Sequence, residues 1–442
     1  MRILLEPGVY DMRNKGNVAL LQVALNRLAN LWPGARMEVI TSAPHLLRLC
    51  CPDAWPLSPD LRDHWASANP VDRLVRSLPM ALLRALLELR ELVRHDLPIA
   101  GQVLTRAGIS APTAMRRMSA NRTGNGDIYA ALDGADLFVA TGSQYMSDAC
   151  KDNALGVLDR LEAAAKRGVV TAMVGQGFGP IEDPELRSRA KAILPSVDLI
   201  LVRDLDASRP LLRSLGVDPF RVEFTGDDAI EPAYELRAPA PGAEIGVGLR
   251  LASYAPVSDM QVGVIRSALH DSALRHRARL IPLPISSSSH EQDHRALRRV
   301  APRRWHTGLW VPRLTPPLSV IREVGRCRLV VTGAFHPAVF ALAQGIPAIG
   351  LASSAMYKGK FSSLARQFGP SCQLVCLDDE FAGQRLTKAI DSAWQCAEAF
   401  RPQLLQTAIE HIRLGCAAYG RLHDLVESRN HKIHAAAGTH AQ

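Results

Sequence analysis

His336 stands in a long uncharged stretch between Arg328 and Lys358, where it is the one side chain that titrates near neutrality. An imidazole so placed can take or give a proton at physiological pH. It follows a β-branched run, Leu329 to Val331, and precedes a helical segment, Val339 to Gln344, that stops at Gly345. Open α/β sheets hold ligands at such positions; the plainer alternative is a histidine that only caps the helix. Charged residues recur at the same kind of place. Arg203 ends the run that starts at Asp198, Asp227 ends the one from Arg221, and Arg250 ends the one from Glu244. Guanidinium groups gathered at strand ends suit a small anion, and an aspartate there can act as a base or orient a hydroxyl. Asn14-Lys-Gly-Asn17, with Asn17 read as a helix cap, offers a cation and free backbone N–H groups, again fitted to an anion. Gly175-Gln-Gly-Phe-Gly-Pro180 is not the dinucleotide fingerprint, because no third glycine opens a helix and no acidic residue stands ready for a ribose. It implies close backbone approach at a sheet edge.

The elements needed to place these residues can be read around them. The unit about His336 is strand, loop, helix, strand, the crossover of a parallel sheet. Arg2–Leu5, Arg36–Thr41, Ala135–Gly142 and Val169–Val174 read as further strands, with helices between them. Arg237–Ala243, rich in proline, alanine and glycine, is the clearest boundary, and Glu244 opens a second α/β half. The expectation is two α/β domains, 1–236 and 244–428. Long helices occupy 382–428, and the tail, 429–442, is expected to be disordered. From 51 to 126 the alternation lapses. Val71–Leu97 there reads as a helix with many leucines and with arginines at 73, 76, 84, 90 and 94. Such a helix can lie on a membrane or hold a partner. A helical insertion with its leucines packed on the domain and its arginines solvated is the preferred reading. Arg116–Gly126 reads as a mobile loop.

At 442 residues the chain exceeds what one ordinary core serves. Its 52 basic and 43 acidic residues leave a surplus of +9, suited to an acidic ligand or an anionic membrane face. Eight cysteines without metal spacing, and an opening strand without an apolar leader, point to a reducing, cytoplasmic setting. His290 and His294 lack the context of a zinc helix, so no metal is expected. Arginines from 295 to 313, with Trp305 and Trp310, form the densest basic and aromatic region. No nucleic-acid motif accompanies them, so no nucleic-acid partner is expected.

Taken together, several segments resemble the polysaccharide pyruvyl transferases. They are Asn14–Asn17, Asp136–Gly142, Gly175–Pro180, Asp198–Asp204 with Ser208 and Leu215–Val217, Thr225–Asp228, Gly246–Arg250, Thr332–Gly350 and Lys358–Phe361. The resemblance covers about 1–50 and 127–370 and implies two Rossmann-like domains facing a cleft, a GT-B-like architecture, with 51–126 as a helical insertion in the first. It implies a transferase that moves pyruvate from phosphoenolpyruvate onto sugar hydroxyls of a polysaccharide or its precursor, free or lipid-linked, as a ketal and without a cofactor. Peripheral contact with a membrane is compatible with it. His336 and Asp227 would be catalytic, and Asn14, Gly16, Asn17, Gly142, Gln176, Gly177, Arg203, Arg250, Lys358 and Lys360 would bind substrate. Where many members have Arg-Leu-His, this chain has Ala334-Phe335-His336, so Arg203, Arg250, Lys358 or Lys360 would supply the missing charge. Two alternatives stand beside it, a GT-B enzyme using a nucleotide sugar and a catalytically silent relative that binds glycans.

Overall fold

A computed structural model describes residues 1–59, 78–96, 126–288, 290–291, 293–300 and 313–439. Most of the insertion therefore lies outside the described residues, the expected loop at Arg116–Gly126 nearly whole, as do Trp305 and Trp310. The first sheet has β1 (Arg2–Glu6), β2 (Arg36–Ile40), β3 (Trp55–Leu57), β4 (Leu137–Ala140), β5 (Val170–Gln176), β6 (Leu199–Val202) and β7 (Val222–Phe224). Their order is β3-β2-β1-β4-β5-β6-β7. The second has β8 (Glu244–Gly248), β9 (Leu280–Pro282), β10 (Cys327–Thr332), β11 (Ala348–Ala352) and β12 (Cys372–Cys376), in the order β12-β11-β10-β8-β9. All neighbours pair in parallel. Helices cover both faces, so inner strands such as β4 and β6 are buried throughout and read as continuous apolar runs. Strand order reverses between β1 and β4 and again between β8 and β10. Doubly wound sheets bind ligands beyond such reversals. Arg250 and His336 leave the second sheet at its reversal, from β8 and β10.

The helices that reach the site are α1 (Lys15–Leu31), α2 (Met80–Asp96), α3 (Phe335–Ala343), α4 (Ala355–Phe368) and α5 (Ala382–Thr439). Asn14, not Asn17, caps α1, because its side chain accepts the N–H groups of Gly16 and Asn17. α2 confirms helix within the insertion, but only one side of it packs as expected. Leu83 is buried and Leu87 leans on the first domain's core, whereas Leu82, Leu86 and Leu89 are exposed. Among the described residues no helix is long and apolar enough to cross a membrane, and no His, Cys, Asp and Glu group could hold a metal.

α5 ties the halves together. Leu386 and Ile390 lie in the second domain's core, while Tyr419, Leu422 and Val426 complete the core of the first. Near that return Arg27 donates to Asp228 at 2.7 Å and to Glu231 at 2.9 Å, with its guanidinium 4.9 Å from the Tyr419 ring. The tail expected from Arg429 is instead helical through Thr439, and Arg429 donates to Asp198 at 3.1 Å, which anchors the continued turns. Residues 440–442 lie outside the described residues.

Midway along α5, His411 is buried between Phe224 and Phe368, and its Nδ1 has no hydrogen-bond partner. Burial pushes its pKa down to about 4, so the folded chain keeps it neutral. The unfolded chain protonates histidine near 6.5, so this contribution is intact above that pH and is lost as pH falls from about 6.5 to about 4. The thermal midpoint should decline over that window. His411→Leu should flatten the decline by up to about 3 kcal/mol, measured by thermal unfolding against pH.

Candidate functional site

β10 ends at Thr332, whose hydroxyl accepts the Ala334 N–H at 2.9 Å and donates to the Ala334 carbonyl at 2.7 Å. That turn starts α3 and puts His336 in its first turn, 7% exposed. The ring lies flush on Gly16 at the start of α1, where any Cβ would strike it. An imidazole of one domain thus meets a glycine of the other. Its Nε2 is buried with no hydrogen-bond partner. Burial first, and then the charges of Arg203, Arg250 and Lys360, hold its pKa well below the usual range, so it is neutral.

Arg203, leaving β6, is buried slightly more deeply. It donates to Asp227 Oδ2 at 3.0 Å and to Gln144 Oε1 at 3.1 Å, and its guanidinium stacks 4.6 Å from the Phe335 ring of the opposite domain. Gly177 leaves room beside it, since a Cβ there would come within 3.0 Å of its Nε. Asp227 Oδ1 accepts the Ala229 N–H at 3.0 Å, so both carboxylate oxygens are held. Burial raises the Asp227 pKa, and Arg203 opposes that rise.

Arg250 does not present an open clamp. It grips Asp293 through two bonds, 2.9 and 3.0 Å, and reaches Glu291 at 3.0 Å. The Glu291 carboxylate also accepts from the Tyr254 hydroxyl and, at 3.0 Å, from Asn14 Nδ2. Lys360, on α4, is half-buried, with its ammonium 4.7 Å from the Tyr357 ring and no acidic partner among the described residues. Burial, with Arg203 and Arg250 nearby, lowers its pKa to about 7. Lys358, two residues away, is held by Asp378 at 2.7 Å and is not brought to this cluster.

The N-terminus of α1 is likewise filled rather than open. Asn14 Oδ1 takes the Gly16 N–H at 3.1 Å and the Asn17 N–H at 3.4 Å, and the Lys15 N–H goes to the Ile285 carbonyl at 2.9 Å. Lys15 Nζ donates to the Pro284 carbonyl at 3.0 Å. The loop is an interdomain clasp. Gln176 closes β5 and Gly142 follows β4, and both are engaged within the first domain. Gln176 Nε2 donates to the Thr141 carbonyl at 2.8 Å and the Tyr145 hydroxyl at 2.7 Å, while Gly142 abuts the Gly175 carbonyl. Sequence reasoning gave no role to Gln144, Phe335 or Tyr254, and it read Lys15 as a cation for an anion, whereas its ammonium is spent on the Pro284 carbonyl. Nor does the sequence show that Glu291 and Asp293 answer Arg250, although a buried arginine requires such carboxylates.

Solved structures place the fold. UDP-GlcNAc 2-epimerase from Neisseria meningitidis, bound to UDP-GlcNAc, has a TM-score of 0.53 at 10% identity, over 97% of this chain and 100% of that one. Glycyrrhiza uralensis UGT73P12 has a TM-score of 0.53 at 12% identity, over 100% and 99%. A putative UDP-N-acetylglucosamine 2-epimerase from Listeria monocytogenes has 0.52 at 11%, over 92% and 93%. At these identities the likeness is one of fold, two Rossmann-like domains about a cleft in the GT-B manner. No curated protein matches the chain in sequence. The profile described as polysaccharide pyruvyl transferase matches residues 14–354, a span that holds Asn14, Arg203, Asp227, Arg250 and His336. A match over most of the chain and its cleft makes this protein a transferase and a member of the polysaccharide pyruvyl transferase family.

Proposed function

We propose that the cleft transfers pyruvate from phosphoenolpyruvate to two hydroxyls of a sugar in a polysaccharide or its precursor, forming a ketal. The observation that carries this reading is the buried, unpartnered Nε2 of His336, with cations of both domains around it. The donor is a small polyanion with a carboxylate and a phosphate. Lys360 and Arg203 supply charge to it from α4 and β6, and Arg203, stacked over Phe335, stands in for the arginine absent at Ala334. Glu291 holds a hydrogen-bond set fitted to a carboxylate, namely Arg250, the Tyr254 hydroxyl and Asn14. The donor's carboxylate would exchange with it. Asp227, engaged on both oxygens, positions Arg203 rather than acting as a base.

Neutral His336 takes the proton of the first hydroxyl as its oxygen bonds to the donor's central carbon. Lys360, poised near neutrality, gives a proton to the methylene carbon and is recharged with the one that His336 took, which leaves both groups as they began. The carbon–oxygen bond to phosphate then breaks. The second hydroxyl adds to the same carbon, and its proton leaves with the phosphate. Cytoplasmic placement, where phosphoenolpyruvate is made, belongs to the same reading. The test is thermal unfolding of the intact protein with phosphoenolpyruvate and, separately, with nucleoside diphosphates. Stabilisation by the former at millimolar concentration is expected, about 1–3 kcal/mol for ligand at 10 to 100 times its Kd. A response to nucleotides alone would overturn the donor assignment in favour of a nucleotide-sugar enzyme.

A further inference from the structure

α2 is held by its inner side, and that side carries acids that reach both halves of the molecule. Leu83, fully buried, and Leu87 pack toward the core of the first domain. Glu88 and Glu91 lie on the same side, because steps of three and four residues return a helix to one face. Glu91, 2% exposed, takes the Arg13 guanidinium through Nη1 and, at 2.7 Å, through Nη2. Glu88 accepts the backbone N–H groups of Arg313 and Leu314 at 3.0 and 2.7 Å. Arg13 belongs to the loop after β1, in the first domain, whereas Arg313 and Leu314 lead into Pro317–Val324, a helix of the second. Leu314, like Leu87, packs against the first domain's core. One helix of the insertion thus grips a segment from each domain.

The segment gripped in the first domain is the clasp itself. The Arg13 carbonyl accepts the Ser287 N–H at 3.1 Å, Asn14 pairs with Ser286 as an antiparallel bridge, and the Lys15 N–H goes to the Ile285 carbonyl at 2.9 Å. The next residue is Gly16, on which His336 lies. Burial lowers the pKa of the Lys15 ammonium to about 8, and Asp293 and Glu88 oppose that fall, so the Glu88 charge is felt at the clasp as well. A short loop joined to another domain by a few backbone bonds opens easily unless something rigid steadies it. We propose that Glu88 and Glu91 are positioning residues, through which α2 braces the clasp and so sets Gly16 against His336. The effect on turnover rests on the role given to His336 above, while the effect on the clasp is independent of the donor.

The experiment is amide hydrogen exchange, read by mass spectrometry, on the full-length protein and its Glu91→Gln and Glu88→Gln/Glu91→Gln variants. A glutamine amide cannot accept from both guanidinium nitrogens, so the two-pronged grip is lost while the side-chain volume stays. Protection of the Lys15 and Ser287 amides should fall about tenfold in Glu91→Gln and further in the double variant, with the amides of β4 and β6 unchanged. Leu86→Ser, on the exposed side of α2, should change neither set. Arg13→Ala should match Glu91→Gln at the Ser287 amide, and Arg13→Ala/Glu91→Gln should lose no more than the larger single variant, as a coupled pair does. In turnover, Glu91→Gln should lower kcat about tenfold and change KM by less than about threefold, the mark of misplaced reacting groups. Unchanged protection of the Lys15 and Ser287 amides in the double variant would overturn the proposal. An equal loss across β4 and β6 would overturn it too, making the two acids general stabilisers of the fold. Exchange needs no substrate, so this result and the donor assignment stand or fall separately.

Discussion

A His336→Ala protein is expected to fold and to lose pyruvyl transfer by a factor of about 10² to 10⁴, the usual range for a positioned acid or base. The fold should survive because the Nε2 of the imidazole makes no hydrogen bond whose loss would leave a partner stranded. Removing the ring leaves a hole against Gly16 and Phe340, a packing loss rather than an electrostatic one. The pH profile separates this role from a purely structural one. A base held neutral far below its usual range keeps the wild-type rate level on the acidic side until well under pH 6.5. On the alkaline side the rate should fall through about 7 as Lys360 loses its proton. Lys360→Met should remove that alkaline limb. Near-wild-type turnover in His336→Ala would eliminate the imidazole from the mechanism.

Arg203→Ala should be damaging in a different way, through stability as well as rate. The guanidinium is the buried partner of Asp227, and the two are 5% and 3% exposed. Deleting one member of such a pair strands the other's charge and typically costs about 3–5 kcal/mol. Adding Asp227→Asn removes the stranded charge, so Arg203→Ala/Asp227→Asn should regain most of the lost stability in chemical denaturation. Activity should not return with it, and a deficit of about 10² to 10³ is expected, as for loss of one preorganised donor to developing negative charge. If the double variant recovered both, Arg203 would be structural and the anion would have to be held elsewhere.

The strand ends were legible in the sequence because parallel strands buried on both faces are written as short uninterrupted apolar runs, and the polar residue that closes each run must lie at the sheet edge. Arg203, Asp227, Arg250 and His336 were found that way. The sequence does not reveal which of these groups already have partners. Arg250 and the Asn14–Asn17 loop look like open anion sites as sequence, yet each is answered by residues from distant positions, Asp293 and Glu291 in one case and Ile285 in the other. Lys358 and Lys360 are indistinguishable as a pair. Two helical positions apart, they diverge, and only the second has no acidic partner among the described residues. The return of α5 across the first domain has no local signature either, because Tyr419 and Leu422 read as an ordinary apolar face whichever core they enter.

The chain passes between the halves at two places, once through Arg237–Ala243 and once along α5, and the passages are laced at one point. Arg401 donates to the Ala238 carbonyl of the linker and, at 2.8 Å, to the Gln344 carbonyl at the end of α3, with Pro402 interrupting the α5 backbone ladder beside it. Paired tethers drawn together like this fasten the two halves along one side, so the place where the imidazole of His336 meets Gly16 is set by how the backbone is strung as well as by packing.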